Sequence, residues 1–315
     1  MIDITALGEI LIDLTQTAVN EKGIPVYAAN PGGAPANLAV AASRLGAITA
    51  FIGKVGRDSF GSLLRKTLSD NGVDVSGLVS DRKERTTLAV VSVDETGERS
   101  FAFYREPSAD VNLTDQEALA SLQPTRVLHF GSLSLTTDPA FTATYAAVRA
   151  AKRSGAWISY DPNYRPSIWN DEPRAVRAMR EPLPLVDILK VADNELPLLT
   201  GTDDPVSGSA VLAAFGIRLV FITLGENGAL YRLGDLFGFC PGYPVSVADT
   251  NGAGDTFFGA ALSRLVRYPS LDALTKDDLD HITAFANRAA SITASRPGAI
   301  PAMPTLSDIN ILTNA

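Results

Sequence analysis

Cysteine, histidine, tryptophan and methionine are scarce in this chain of 315 residues, at one, two, two and three copies. The lone thiol, Cys240, excludes an intrachain disulfide and removes any call for an oxidising compartment. It reads as a small buried hydrophobe. Uncharged apolar runs of about eighteen residues are missing, so no segment is expected to span a membrane. The opening MIDITALGEILIDL is apolar but carries Asp3, Glu9 and Asp13 and has no basic lead-in. It therefore reads as a first strand and not as a signal peptide, and the cytoplasm is the expected location. Basic residues are in deficit, 27 against 35 acidic, for a net charge of −8. That balance argues against nucleic acid or an anionic membrane surface as a partner. An anionic ligand would have to be held by local devices such as a helix N-terminus, a metal ion or placed arginines.

Internal repeats and low-complexity linkers are also absent. What is present is 46% hydrophobic and 20% charged residues, enough for a sizeable core in one large domain with or without a smaller accessory. Short β-rich runs alternate with helical stretches closed by glycine. Helices are expected at 36–45, 59–71, 139–154, 206–215, 254–268 and 277–295, and strands at 126–130, 157–160, 188–191 and 219–223. Repeated βαβ units imply a mostly parallel sheet with helices on both faces. Two segments break the rhythm. Residues 13–30 and 86–104 read as strand and turn without a helix, the second with a hairpin signal at Asp94-Glu95-Thr96-Gly97. Paired, they would form a small sheet needing a ligand or a second subunit over its free face.

The segment Asp249-Thr250-Asn251-Gly252-Ala253-Gly254-Asp255-Thr256-Phe257 runs into an apolar helix. Small residues at Gly252, Ala253 and Gly254 let backbone N–H groups at a helix start approach an anion. Asp255 in the first turn can accept a hydroxyl proton while those amides hold growing negative charge. A plain glycine-rich turn with a helix-capping carboxylate fits the spacing equally well. Gly32-Gly33 followed by Asn37 offers close backbone approach with a donor and an acceptor for hydroxyls, and Asp13 can accept two more. In FAFYREPSAD, Phe103 fits one face of a strand over a ligand, with Arg105 where the strand leaves it. His129 reads as structural.

The 249–257 segment resembles the C-terminal signature of the ribokinase-like (pfkB) carbohydrate kinases. PGGAPANLAVAASRLGA with FIGKVGRDSFG, residues 31–61, resembles their N-terminal signature. The runs FYREPSAD and SYDPNYRPSIW are similar to segments of bacterial and plant fructokinases. The resemblance covers almost the whole chain. It implies a three-layer ribokinase-like α/β fold, with the main domain at 1–12, 32–84 and 105–315 and a β-lid at 13–31 and 85–104. It makes Asp255 the catalytic base and Gly252, Ala253 and Gly254 the anion hole. Asp13, Gly32, Gly33, Asn37, Phe103, Arg105, Asn163 and Arg165 become the sugar site, the last two at a strand's carboxyl end.

Thr223, Gly225 and Gly228, with Asn287 in a late helix, become nucleotide contacts by the same resemblance. Glu195 would hold magnesium through water, although Ala192 stands where the family's N-x-x-E element has asparagine. Asp249 and Asn251, with residues 293–298, would hold potassium, and Asn251 replaces the family's usual threonine. The expected cofactors are therefore MgATP and K+, and the partners a sugar, ATP and a second copy of the chain docked through the lid. Fructose is the expected substrate. A 2-keto-3-deoxygluconate kinase, using Arg105 on the acid's carboxylate, is the main rival, and Glu106 and Asp110 beside that arginine weigh against it. A ribokinase or nucleoside kinase and a non-catalytic relative complete the alternatives.

Overall fold

A computed structural model describes residues 1–93, 99–105 and 107–311. Its strands are β1 Ile2–Leu7, β2 Leu11–Val19, β3 Pro25–Gly32, β4 Thr49–Gly56, β5 Val73–Asp74, β6 Leu78–Asp81 and β7 Leu88–Val93. They continue as β8 Arg99–Tyr104, β9 Thr125–Gly131, β10 Trp157–Asp161, β11 Ile188–Ala192, β12 Leu219–Thr223, β13 Gly228–Leu233 and β14 Leu236–Pro241. The main sheet has the order β14-β13-β12-β11-β10-β9-β1-β4-β5, with β6 also paired to β4. Every pair from β12 across to β5 is parallel, and only β13 and β14 close the edge as an antiparallel hairpin.

The central strands read as nearly unbroken apolar runs because both faces are covered. On one face Leu7, Leu128, Phe130, Ile158, Tyr160, Val191 and Ile222 form a core. On the other, Ile4, Val127, Ile188, Leu219 and Phe221 pack against Phe257, Phe258 and Leu262 of helix Ala253–Leu265. That helix is sandwiched in turn between helices Ala34–Arg44 and Lys276–Ala294. The mostly parallel sheet and the smaller second sheet expected from the sequence are both present. Among the described residues no helix is long and apolar enough to cross a membrane.

The second sheet has the order β3-β2-β7-β8, with β2 and β7 parallel. Asp13, Ala89 and Phe103 stand in register across it and share one face. Tyr27 and Tyr104 belong to the opposite face and are exposed. Strand β7 is moored at its start by Asp58, which accepts the Thr86 N–H at 2.9 Å and its hydroxyl at 2.8 Å. The turn expected at Asp94–Gly97 lies outside the described residues.

Candidate active site

The carboxyl ends of the parallel strands share one edge, where ligands of open α/β sheets bind. A cleft there is lined by Glu9, Leu11, Asp13, Gly33, Ala34, Asn37, Phe103, Leu133, Asn163, Arg165, Asn251 and Asp255. The paired glycines have a packing reason. A Cβ on Gly32 would lie 2.5 Å from Asp13 Oδ2, and one on Gly33, where φ is 111°, would lie 2.6 Å from the Glu9 carbonyl oxygen. Only a bare backbone passes between these two acidic residues. Burial pushes the Asp13 carboxyl up to about 6, against the pull of Arg165 and a hydrogen bond from Asn251. Asn163 sits at φ 46°, a left-handed conformation that asparagine tolerates, just past β10.

Asp255 lies in the first turn of helix Ala253–Leu265, which starts after Gly252 at φ 76°. The first intrahelical bond runs from Thr256 N–H to Gly252 O, at 2.8 Å. The earlier N–H groups have no acceptor inside the helix. Ala253 gives its N–H to Thr250 O at 3.3 Å, which leaves those of Gly254 and Asp255 for an anion. Asn37 donates Nδ2–H to Asp255 Oδ2 at 2.8 Å and fixes the carboxylate's orientation. Burial raises the Asp255 pKa, while the Asn37 hydrogen bond and then Lys190 and Arg165 draw it down.

Behind this carboxylate lies a buried ion pair that sequence reasoning missed. Lys190 on β11 meets Asp161 at the end of β10, 3.0 Å away. A Cβ on Gly254 would stand 3.3 Å from Lys190 Nζ, so the ammonium reaches the base of the helix start. Burial opposes the Lys190 charge, but Asp161, Glu195 and Asp255 outweigh it and raise its pKa. Glu195 Oε1 accepts the Tyr164 N–H at 2.6 Å and Oε2 accepts the Ala192 N–H at 2.9 Å. Its carboxylate thus ties the chain after β10 to the end of β11. His129 is buried against Ser159 and Phe258, and burial and Lys190 push its pKa down to about 3. It is neutral and structural.

Three expected contacts are placed differently. Arg105 does not line the cleft: its guanidinium is 2.8 Å from Asp110, 2.7 Å from Thr136 Oγ1 and 2.9 Å from Leu133 O, and the residue is 5% exposed. Its charge is thus paired with a buried carboxylate, and three of its five N–H donors are taken within the protein. Asn287 spends its amide N–H groups on the carbonyls of Cys240 and Pro241, at 2.9 and 3.1 Å, and so shapes the chain after β14. Gly228 is required because a Cβ there would be 2.2 Å from Cys240 O. Thr223 and Gly225 lie at the carboxyl end of β12, on the same edge as the cleft but three strands from β9. Asp249 accepts the N–H groups of Asn251 (3.0 Å) and Gly298 (3.1 Å), which joins the two loops expected to hold potassium. Glu106 lies outside the described residues.

Comparison with known proteins decides what this edge belongs to. Residues 1–306 match the family described as pfkB family carbohydrate kinase. This chain belongs to the pfkB carbohydrate kinases. It is 42% identical over 307 residues to fructokinase-1 of Oryza sativa subsp. japonica, covering 96% of this chain and 94% of that one. The structure of fructokinase from Xylella fastidiosa with bound ATP matches with a TM-score of 0.90 at 30% identity, covering 99% and 98% of the two chains. Fructokinase from Vibrio cholerae O395, bound to fructose, ADP and calcium ion, matches at 0.88 and 33%, covering 98% of each.

For a pfkB kinase, the residues missed from sequence share one signal. Glu9, Asp161 and Lys190 are charges set in or beside apolar strand runs, LGEIL, ISYD and ILKVA. A buried charge is retained only with a partner or a task.

Proposed function

We propose that this chain transfers the γ-phosphoryl group of ATP to the primary 6-hydroxyl of fructose, giving fructose 6-phosphate and ADP. The observation that carries the reaction is Asp255, oriented by Asn37 at a helix start whose Gly254 and Asp255 N–H groups face an anion site. The hydroxyl proton passes to the Asp255 carboxylate as the oxygen–phosphorus bond forms in line with the breaking bond to ADP. Catalysis here is positioning and charge stabilisation. Gly252 and Ala253 shape the loop, and Lys190 adds positive charge beneath it.

Lys190 lies near Asp161, Glu195 and Asp255, with Arg165 also acting on Asp255, so carboxyls outnumber cations in a way that suits a divalent ion. Among the described residues no three such groups close directly on a metal. The donors therefore fit magnesium held through water and phosphate oxygens. The ion, when bound, neutralises charge on the transferred phosphates. Thr223 and Gly225 border the nucleotide, and Gly228 and Asn287 shape its wall. Potassium would sit between the Asp249–Asn251 and 293–298 loops and order the anion hole.

Sugar choice follows from charge. The cleft holds the carboxyls of Glu9, Asp13 and Asp255 against one cation, Arg165. A neutral polyol is favoured there over a sugar acid, which weighs against 2-keto-3-deoxygluconate now that Arg105 is occupied by Asp110. Phe103 on the lid face covers the ring and excludes water. The opposite face, with Tyr27 and Tyr104 exposed, docks a second copy, and the use of ATP favours a cytoplasmic enzyme. The test is 31P and 13C NMR of the product from MgATP and fructose. Phosphate on carbon 6 with one ADP per sugar is expected; phosphate elsewhere, or ADP without phosphorylated sugar, would overturn the proposal.

A further inference from the structure

The floor of the sugar cleft holds a carboxyl that this chemistry leaves unused. Glu9 follows β1 and is 3% exposed, yet it lines the cleft beside Asp13, Asn37 and Asp255. Its Oε1 accepts the Ala34 N–H at the start of helix Ala34–Arg44, 3.1 Å away. Its Oε2 is buried and finds no partner in any other described residue. Asn37 repeats the pattern: Nδ2 is given to Asp255, and Oδ1 is buried without a partner. Buried oxygens left without donors are costly, and native folds keep few of them. Two such acceptors around one cleft call for a ligand that brings donors, and a polyol brings several hydroxyls. Burial pushes the Glu9 carboxyl up to about 7, with its own backbone N–H, Arg105 and the Ala34 N–H drawing it down and Asp110 opposing. A hydroxyl bonded to Oε2 would offset that burial. Arg105, held by Asp110, then acts on the sugar only through Glu9.

We infer that Glu9 is a sugar-binding residue whose Oε2 accepts a hydroxyl of the bound ketose and which, with Asn37 Oδ1, selects the hydroxyl pattern the cleft admits. The inference rests on the fructokinase reading above. Its test compares wild type, Glu9→Gln and Glu9→Asp on fructose and on analogues lacking the 1-, 3- or 4-hydroxyl. Glu9→Gln should lose about 10- to 100-fold in fructose kcat/KM, the range for a hydrogen bond to a charged group, with ATP KM changed less than about threefold. One analogue should be used poorly by wild type yet lose nothing further in Glu9→Gln, because the hydroxyl it lacks is the one Glu9 holds. Glu9→Asp, which keeps the charge near Arg105 but withdraws it by one methylene, should fall between.

A purely structural Glu9 would lower thermal stability and affect all analogues alike. Unchanged discrimination among the analogues in Glu9→Gln would overturn the inference, and should that variant not fold, Glu9→Asp decides by the same comparison. Failure of wild type to phosphorylate fructose would instead sink the fructokinase reading. Glu9 would then be judged on the deoxy series of whichever sugar wild type phosphorylates.

Discussion

The two sheets of this kinase solve opposite problems. The main sheet buries charge at its packed carboxyl edge: Lys190 is paired with Asp161, and Asp255 beside them is held by Asn37. The lid sheet carries one inward carboxyl, Asp13, and leaves apolar surface exposed on its other side, with Val19, Val26, Tyr27 and Tyr104 each at least 43% accessible. Reacting groups need fixed positions, so they stand where every neighbour is packed. A sheet serving as the proposed lid would have to admit and release sugar.

The difference can be broken most sharply at Asp255. Asp255→Asn should lower kcat by about a thousandfold or more, since a positioned general base contributes roughly 10²–10⁴. Calorimetry should find fructose and MgATP affinities nearly unchanged, and turnover near wild type would remove Asp255 from the mechanism. Next in size, Lys190→Met leaves Asp161 buried and unpaired, at a cost of about 3–5 kcal/mol in urea unfolding. Tyr27→Ala on the lid should cost less than about 0.5 kcal/mol, and light scattering should find it monomeric where wild type is the proposed dimer. Equal destabilisation by the two would erase the distinction between frame and lid.

A pH series sharpens the comparison at the border of the two sheets. The Glu9 carboxyl rises from an ordinary 4.5 to about 7 in the folded state, through burial. Below 4.5 both states hold the proton. Between 4.5 and 7 only the folded state does, so the stability this group contributes is lost as pH rises through 7. The ligand-free stability of Glu9→Gln relative to wild type should therefore climb by about 3 kcal/mol from pH 4.5 to 8. Arg105 and Asp110, which face it, are common to both proteins. A flat difference would contradict the burial argument. The smallest effect concerns the loops joined by Asp249: potassium should raise kcat/KM severalfold over a bulky organic cation at equal ionic strength, and identical kinetics would remove the potassium site.

Local chemistry was readable from sequence wherever neighbours along the chain supply the geometry. The helix start at Gly252–Asp255 and the Gly32-Gly33 turn are of this kind, as are the alternating strands and helices. Arg105 was misplaced because its partner is decided by where β8 leaves the lid. Asp110, only five residues on, captures the guanidinium before a ligand can. Asn287 was likewise read as a ligand contact when a carbonyl pair 46 and 47 residues away uses its amide. Glu9 and Lys190 went unread because strand periodicity treats a single charge as noise. Asking what pairs each charge beside an apolar run would have found both.

A cleft lined by three carboxyls and one cation should select a neutral ketose. The most direct measurement is steady-state kcat/KM for fructose, glucose, ribose and 2-keto-3-deoxygluconate with one enzyme preparation at saturating MgATP. A cleft whose buried polar groups match fructose should favour it at least about a hundredfold over glucose and ribose, equivalent to about 2.7 kcal/mol of transition-state binding. The sugar acid should fare no better than those two. Use of 2-keto-3-deoxygluconate in preference to fructose would contradict the claim.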